Sequence, residues 1–295
     1  MIRLVEDVDA VERRYLEALN LCFPGWGGAE MFDWCFRRRA GGPSADLFVA
    51  EEDARLIAGT ATTYRRAFRP GRGEETIGCM TATWTLRAAR GRGLFPRMIE
   101  ESRLLADRRG CALLIAFAGA GKASRPGLLA AGAEAVEDAF LTSPGPPAPS
   151  AVAPEPVRVD EAVANLATRA VDDALNHLLY SPDEWRGQII DRPVPVESWR
   201  LPGGAVAVVE RCGASDRLLD VSAGGGKAFV AAALEAATLS ASFGRRLSAY
   251  TLEPRVIEAL AGRGWERSRS WLYLMSTDAG PVDRDPWWFA NGDRM

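Results

Sequence analysis

Residues 76–109 constrain the fold most: a β-rich run, an arginine- and glycine-rich loop and a helix follow one another without a break. Residues 76–86 are rich in β-branched and aromatic side chains, which favours a strand. In Arg90-Gly91-Arg92-Gly93-Leu94-Phe95 the two glycines let the backbone turn tightly and come close to a ligand. The spacing predicts a helix over 96–109, with Pro96 in its first turn and Gly110 at its stop. Amides at such a helix start have no intrahelical partner, and the helix dipole adds partial positive charge there. Arg87, Arg90 and Arg92 add full charges. The set suits a pyrophosphate; the competing reading is a solvated, arginine-rich turn. Neither G-x-x-x-x-G-K-[ST] nor G-x-G-x-x-G follows this strand, which excludes a Walker A loop and the Rossmann fingerprint.

The clearest break in the chain is residues 144–156, Pro-Gly-Pro-Pro-Ala-Pro-Ser-Ala-Val-Ala-Pro-Glu-Pro. Proline removes donors and fixes φ, so this stretch reads as a semi-rigid linker between a domain at 1–143 and one at 157–295. Within the first, residues 9–20 and 29–38 read as helices and 47–51, 56–65 and 76–86 as strands, with Glu52-Asp53-Ala54-Arg55 turning a hairpin. Residues 111–118 read as a strand buried on both faces, followed by a helix near 123–131 and a strand near 134–142. The second half repeats this order loosely. It has a helix over 160–180, strands at 205–211 and 218–222, the loop Gly224-Gly225-Gly226, a helix over 227–243, a strand at 247–252, a helix over 254–262 and a strand at 268–276. Strand, glycine loop, helix, strand in both halves suggests an internal duplication.

Composition narrows the function classes. The chain of 295 residues is 47% hydrophobic and 25% charged, as globular domains are. A formal net charge of −3 offers no broad basic field for nucleic acid. The five cysteines are scattered, none in a C-x-x-C pair, and His177 is the one histidine. A Cys/His metal site is therefore not expected, and the thiols suit a reducing, cytoplasmic setting. The acidic N-terminus reads as neither signal peptide nor anchor, and no apolar run approaches the roughly 20 residues of a membrane helix.

Thr85-Leu86-Arg87 followed by Arg90-Gly91-Arg92-Gly93 resembles the coenzyme A motif Q/R-x-x-G-x-G/A of the GNAT N-acetyltransferases. The resemblance covers the first half, including the hairpin LFVAEEDARLIAGTAT, and more loosely the second, where Ala261-Gly262-Arg263-Gly264-Trp265 resembles the family's late K-x-G-F turn. It implies an α+β chain of two GNAT-like domains, each a mixed, mainly antiparallel sheet flanked by helices, the second divergent. It also implies acetyl-CoA as co-substrate, a small-molecule primary amine as acceptor, and direct attack in a ternary complex. Backbone amides of Trp84, Thr85 and Leu86 would orient the pantetheine, and those of Gly91, Arg92, Gly93, Leu94 and Phe95 would take the pyrophosphate, beside Arg87 and Arg90. The chain departs from the pattern in Phe95, in Pro96, and in Leu128 at the position of the family's tyrosine acid.

For the remaining roles the candidates are Glu75, with Glu74, as a base or a solvated hairpin end, and Tyr64 facing the cleft or half-buried in the sheet. Cys79 reads as a buried thiol, and His177 as an exposed or interdomain helix residue. The tail Pro-Trp-Trp-Phe-Ala-Asn-Gly-Asp-Arg-Met (286–295) reads as packed back onto the body. Some multidomain members of the family use a C-terminal carboxylate as base, which makes Asp293 or the Met295 carboxylate a candidate beside a purely structural plug. Trp26, Phe32 and Trp34 line the acceptor pocket or pack the core. The Gly224–Gly226 loop reads as a degenerate repeat. The alternative is a non-catalytic acyl-CoA or small-ligand sensor; transfer from an aminoacyl-tRNA donor, as in Fem-type enzymes, suits the short loop and the charge less well. The expected state is monomer or homodimer.

Overall fold

The computed structural model describes every residue except 1, 40, 41, 120, 122, 146–152, 168–170, 172, 173, 214, 224, 278–281, 283–285 and 295. The chain divides into two compact units. Unit 1 is Met1–Ala67, Glu74–Val136 and Leu272–Arg284; unit 2 is Phe68–Gly73, Glu137–Trp271 and Asp285–Met295. Each unit therefore borrows segments from the other half of the sequence, which a cut at the proline-rich stretch does not describe.

Unit 1 opens with β1 (Ile2–Leu4), α1 (Glu12–Cys22) and α2 (Ala29–Phe32), which a wider π-type turn extends to Arg37. A three-residue strand is below what periodicity can detect, and β1 forms because it pairs antiparallel with β2 (Asp46–Glu52). The hairpin of β2 and β3 (Arg55–Arg69) turns where the sequence places it, at Glu52↔Arg55. Asp53 (φ 49°) and Ala54 (φ 60°) are both left-handed, the two-residue turn whose twist matches the strands. Ala54 pays a steric cost that glycine avoids. Ala54→Gly is expected to stabilise unit 1 by about 1 kcal/mol, read as a raised midpoint in thermal denaturation.

After β3 come β4 (Gly73–Thr85), α3 (Leu94–Arg108), β5 (Leu113–Gly119), α4 (Ser124–Ala130) and β6 (Glu134–Thr142). The sheet order in unit 1 is β1-β2-β3-β4-β5, with β4 and β5 parallel. The helix α3 crosses between them and buries Met98, Ile99, Ser102, Leu105 and Ala106.

Unit 2 contains β7 (Glu155–Pro156), α5 (Val159–Leu166), β8 (Asn176–Leu179), α6 (Pro182–Trp185), β9 (Val196–Arg200), β10 (Val206–Cys212) and β11 (Ser215–Val221). They are followed by α7 (Gly226–Ser242), β12 (Arg246–Thr251), α8 (Pro254–Ala261), β13 (Glu266–Ser276) and β14 (Trp287–Trp288). The second part of β13, from Leu272, belongs to unit 1, where it neighbours β5. In unit 2 the order is β6-β12-β11-β10-β9-β7. β9, β10 and β11 pair antiparallel, and β11 and β12 pair parallel with α7 between them. β3, β4, α3 and β5 follow the same succession, so the topology is duplicated although the sequence is not visibly so. The core of unit 2 packs Ala232, Ala233 and Ala236 of α7 against Trp199, Leu218, Leu247 and Trp265.

Three sequence expectations change here. The helix predicted over 160–180 ends at Leu166, and Asn176–Leu179 is a strand, because β14 supplies it with a parallel partner through Trp287↔Asn176 and Trp288↔His177. His177 is thus a buried strand residue, its Nδ1 2.9 Å from the Leu175 carbonyl oxygen and its ring 5.3 Å from that of Phe68. The proline-rich stretch does form a strand at Glu155–Pro156, but an edge one beside β9, where proline's missing donor costs no ladder bond. Residues 146–152 of that stretch lie outside the described residues.

Candidate functional site

The site is built where β4 stops being a regular strand. Its ladder with β5 runs from Ile77↔Leu113 to Met80↔Ala116 and ends there among the described residues, while both strands continue. Ala82 then takes φ 46°, a conformation an L residue adopts only when its surroundings impose it. A left-handed residue inside a strand bends it and breaks its pairing. The two parallel strands therefore part beyond Met80, where their pairing ends among the described residues. Nothing in Thr81-Ala82-Thr83 signals this in the sequence.

The strand ends at Thr85, and the N–H of Leu86 donates to the Ile57 carbonyl (2.9 Å). That amide is consumed by the sheet, so Leu86 is corrected from a pantetheine contact to an anchor of the strand end. Arg87–Ala89 make one 3₁₀ turn, Gly91 (φ 78°) and Gly93 (φ 72°) are left-handed, and α3 starts at Leu94. A Cβ at either glycine would meet no atom within 4 Å, so the face beside them is open. Among the described residues the amides of Gly91, Arg92 and Gly93 donate to no backbone carbonyl. Leu94 and Phe95 open the helix, where amides lack intrahelical acceptors.

This loop borders a cleft of about 650 Å³, also lined by Leu21, Cys22, Glu52, Asp53, Arg55 and Ile57. Arg90 Nε donates to the Thr85 carbonyl (3.3 Å). Arg92 makes a bidentate pair with Glu52 at 3.0 and 2.8 Å, and this holds the Glu52 carboxyl below its ordinary range. Both partners are about half exposed, so water screens the pair and an incoming phosphate can compete for Arg92. The Cys22 thiol is pushed up by partial burial, against the Arg90 charge and the Thr85 backbone. Cys22 at this cleft was not anticipated; it reaches it from the last turn of α1.

Phe95, the motif's most conspicuous departure, has a local explanation. Its ring lies on Gly127 of α4, where a Cβ would come within 2.5 Å of two ring carbons. The bulky residue is accommodated by a glycine on the neighbouring helix.

The other candidates separate from this cleft. The Tyr64 hydroxyl is buried and donates to Asp46 Oδ2 (2.6 Å), which also receives Arg109; burial and the Asp46 charge raise its pKa. Arg109 follows the C-terminal end of α3, whose 15 residues span about 22 Å from the glycine loop. Tyr64 thus anchors the far end of the helix and is not in the cleft. Glu75 stands at the start of β4, ahead of the ladder with β5 and at the opposite end of the strand from Thr85. Its neighbour Glu74 pairs with Arg66 at 3.1 Å. Cys79 is buried mid-strand, and Phe32 is core, ringed by Tyr15 and Phe36. Trp34 carries Arg38 on its face, and Trp26 stacks on Phe36 at 5.7 Å. Trp84 is buried, and Leu128 is buried in α4 with no hydroxyl to offer. α4 does touch one tyrosine: Arg125 Nη1 donates to the Tyr273 hydroxyl at 3.3 Å.

In unit 2 the tail packs as expected, with Trp287 and Phe289 buried and stacked at 5.1 Å. Asp293 is buried, accepting from the Tyr180 hydroxyl (2.9 Å) and the Ala290 N–H (2.6 Å), a structural arrangement that leaves it no role as a free base. Met295 lies outside the described residues, as does Gly224. At the loop of the second repeat, Gly226 donates to the Glu253 carboxylate (2.8 Å). The place an anion would take is filled by the chain's own acid.

No family model and no curated protein matches the chain. Solved structures do. Eis1 from Mycobacterium abscessus aligns at 16% identity over 94% of this chain and 74% of that one, with a TM-score of 0.57. A GCN5-related N-acetyltransferase from Kribbella flavida aligns at 14% identity over 92% and 70%, TM-score 0.60. Another from Anabaena variabilis aligns at 13% over 94% and 73%, also 0.60. At such identities the likeness is one of fold: the chain is an α+β protein with the architecture of the GCN5-related N-acetyltransferases, and the fold resemblance seen in the glycine loop holds. Among the described residues, no helix is long and apolar enough to cross a membrane.

Proposed function

We propose that unit 1 binds acetyl-CoA at the Arg87–Phe95 loop and transfers its acyl group to the primary amine of a small molecule. The observation that carries this reading is the open row of unpaired amides at Gly91, Arg92 and Gly93, at the start of α3 and beside the parted ends of β4 and β5. Such a row fits a pyrophosphate, and an extended pantetheine would lie where the two strands part. In the reaction the neutral amine nitrogen attacks the thioester carbonyl and gives up a proton to water, the oxyanion collapses as the carbon–sulfur bond breaks, and the thiolate takes a proton. With Leu128 at the family's tyrosine position and no tyrosine among the described residues lining the cleft, that proton comes from water. Tyr273 is fully buried beside Arg125, so Tyr273→Phe is expected to leave turnover unchanged in the thiol-release assay.

The test is calorimetric titration with acetyl-CoA, then thiol release over a panel of small primary amines. Binding with thiol release is the expected result. Binding without release from any amine favours the second reading, a non-catalytic acyl-CoA sensor, which the missing tyrosine motivates. Absence of binding overturns both.

A further inference from the structure

The aromatic tail and the second glycine loop meet at a pocket that acyl transfer in unit 1 does not use. It has a volume of about 420 Å³, and its apolar wall includes Leu175, Leu252, Pro254, Trp287, Trp288 and Phe289. Glu253 is the one charged residue among the described residues lining it. Its carboxylate is held in place: Oε2 receives the Gly226 N–H at 2.8 Å, and its backbone N–H donates to Thr251 Oγ1 at 3.1 Å. The other oxygen, Oε1, has no hydrogen-bond partner among the described residues. The indole Nε1 of Trp287, a residue 5% exposed, is also buried without a partner.

These features define a ligand chemistry. A carboxylate at the start of α7 satisfies the helix dipole and repels any further anion, so the site of the second repeat has lost the capacity for a pyrophosphate. A fixed acid among aromatic faces instead favours an ammonium, through a charge-assisted hydrogen bond and cation–π attraction. The buried indole N–H of Trp287, without a partner among the described residues, gives a resonance that reports on what lies against this wall. We propose that this pocket is a second ligand site, taking a small organic cation with an aromatic or alkyl body. The ammonium sits on Glu253 and the body lies against Leu252, Trp287 and Trp288. The inference does not depend on unit 1 being a transferase.

The probes are 2-phenylethylammonium and its acidic counterpart 3-phenylpropanoate, titrated into the full chain. Glu253→Gln keeps an oxygen for the Gly226 N–H while removing the charge, so the loop survives the test. The amine is expected to bind the wild type, to bind Glu253→Gln about tenfold more weakly, and to shift the indole N–H resonance that disappears in Trp287→Phe. The acid is expected not to bind. The proposal is overturned by equal amine affinity in wild type and Glu253→Gln, by an unmoved Trp287 resonance, by equal binding of the acid, or by no amine binding. None of these readouts involves acyl transfer, so failure here and failure of the unit 1 assignment are seen separately.

Discussion

Gly93→Asp is expected to weaken acetyl-CoA binding by at least about a hundredfold in a protein that remains folded. Gly93 has φ 72°, and a Cβ there would meet no atom within 4 Å, so the new side chain has room. Aspartate is among the residues that tolerate the left-handed region, at a cost of about 1–2 kcal/mol. Its carboxylate would stand at the start of α3, next to amides that donate to no carbonyl, in the position proposed for the pyrophosphate. One like-charge pair at about 4 Å and an effective dielectric near 20 costs about 4 kcal/mol, close to a thousandfold in affinity. Screening by salt reduces this, so the expected reading is a loss of at least about a hundredfold. Gly93→Asn carries the same backbone strain without the charge and should keep most of the affinity. Calorimetric titration of all three proteins decides the matter, with circular dichroism to confirm folding. If the aspartate variant binds acetyl-CoA as tightly as the wild type, the loop is not the donor site.

What the sequence disclosed of this site is uneven, for physical reasons. The glycine loop was legible because its conformation is encoded locally: left-handed φ at Gly91 and Gly93, proline in the first turn, arginines beside them. The β2–β3 hairpin and most helices were legible from periodicity for the same reason. The parting of β4 and β5 was not, since it hinges on Ala82 held at φ 46° by its surroundings, and alanine carries no signal for that conformation. Nor was the fate of Tyr64 and Glu75. A residue type and its place on a strand do not say which end of α3 it will meet, and the Asp46–Arg109 pair that claims Tyr64 joins residues 63 positions apart. The same limit hid Glu253, whose bond to Gly226 spans 27 positions and turns a glycine loop that looked merely degenerate into a closed anion site. Local conformation was readable; long-range pairing, which decides what a site can hold, was not.

The second large effect is expected at Trp84, which holds the strand end from which the loop departs. Its ring is 2% exposed. On one side lies Gly59, where a Cβ would come within 2.7 Å of the ring; on the other lies Tyr15, edge-on at 5.5 Å. The residue is thus clamped between β3 and α1, one position before Thr85, and Leu86 then fastens to Ile57. Trp84→Ala leaves a cavity that neither the backbone of Gly59 nor the buried ring of Tyr15 can fill, and an expected loss of about 3–5 kcal/mol follows. Trp84→Phe, which drops the N–H but keeps most of the ring, should therefore cost much less than Trp84→Ala. Gly59→Ala attacks the same contact from the other side and should cost about 1–3 kcal/mol through overpacking. Urea unfolding of the three variants measures the order, and acetyl-CoA affinity below each transition measures the consequence for the loop. A loss under about 1 kcal/mol in Trp84→Ala would mean that the ring does not support the strand end, and that the loop owes its position to the Leu86–Ile57 bond and to α3 alone.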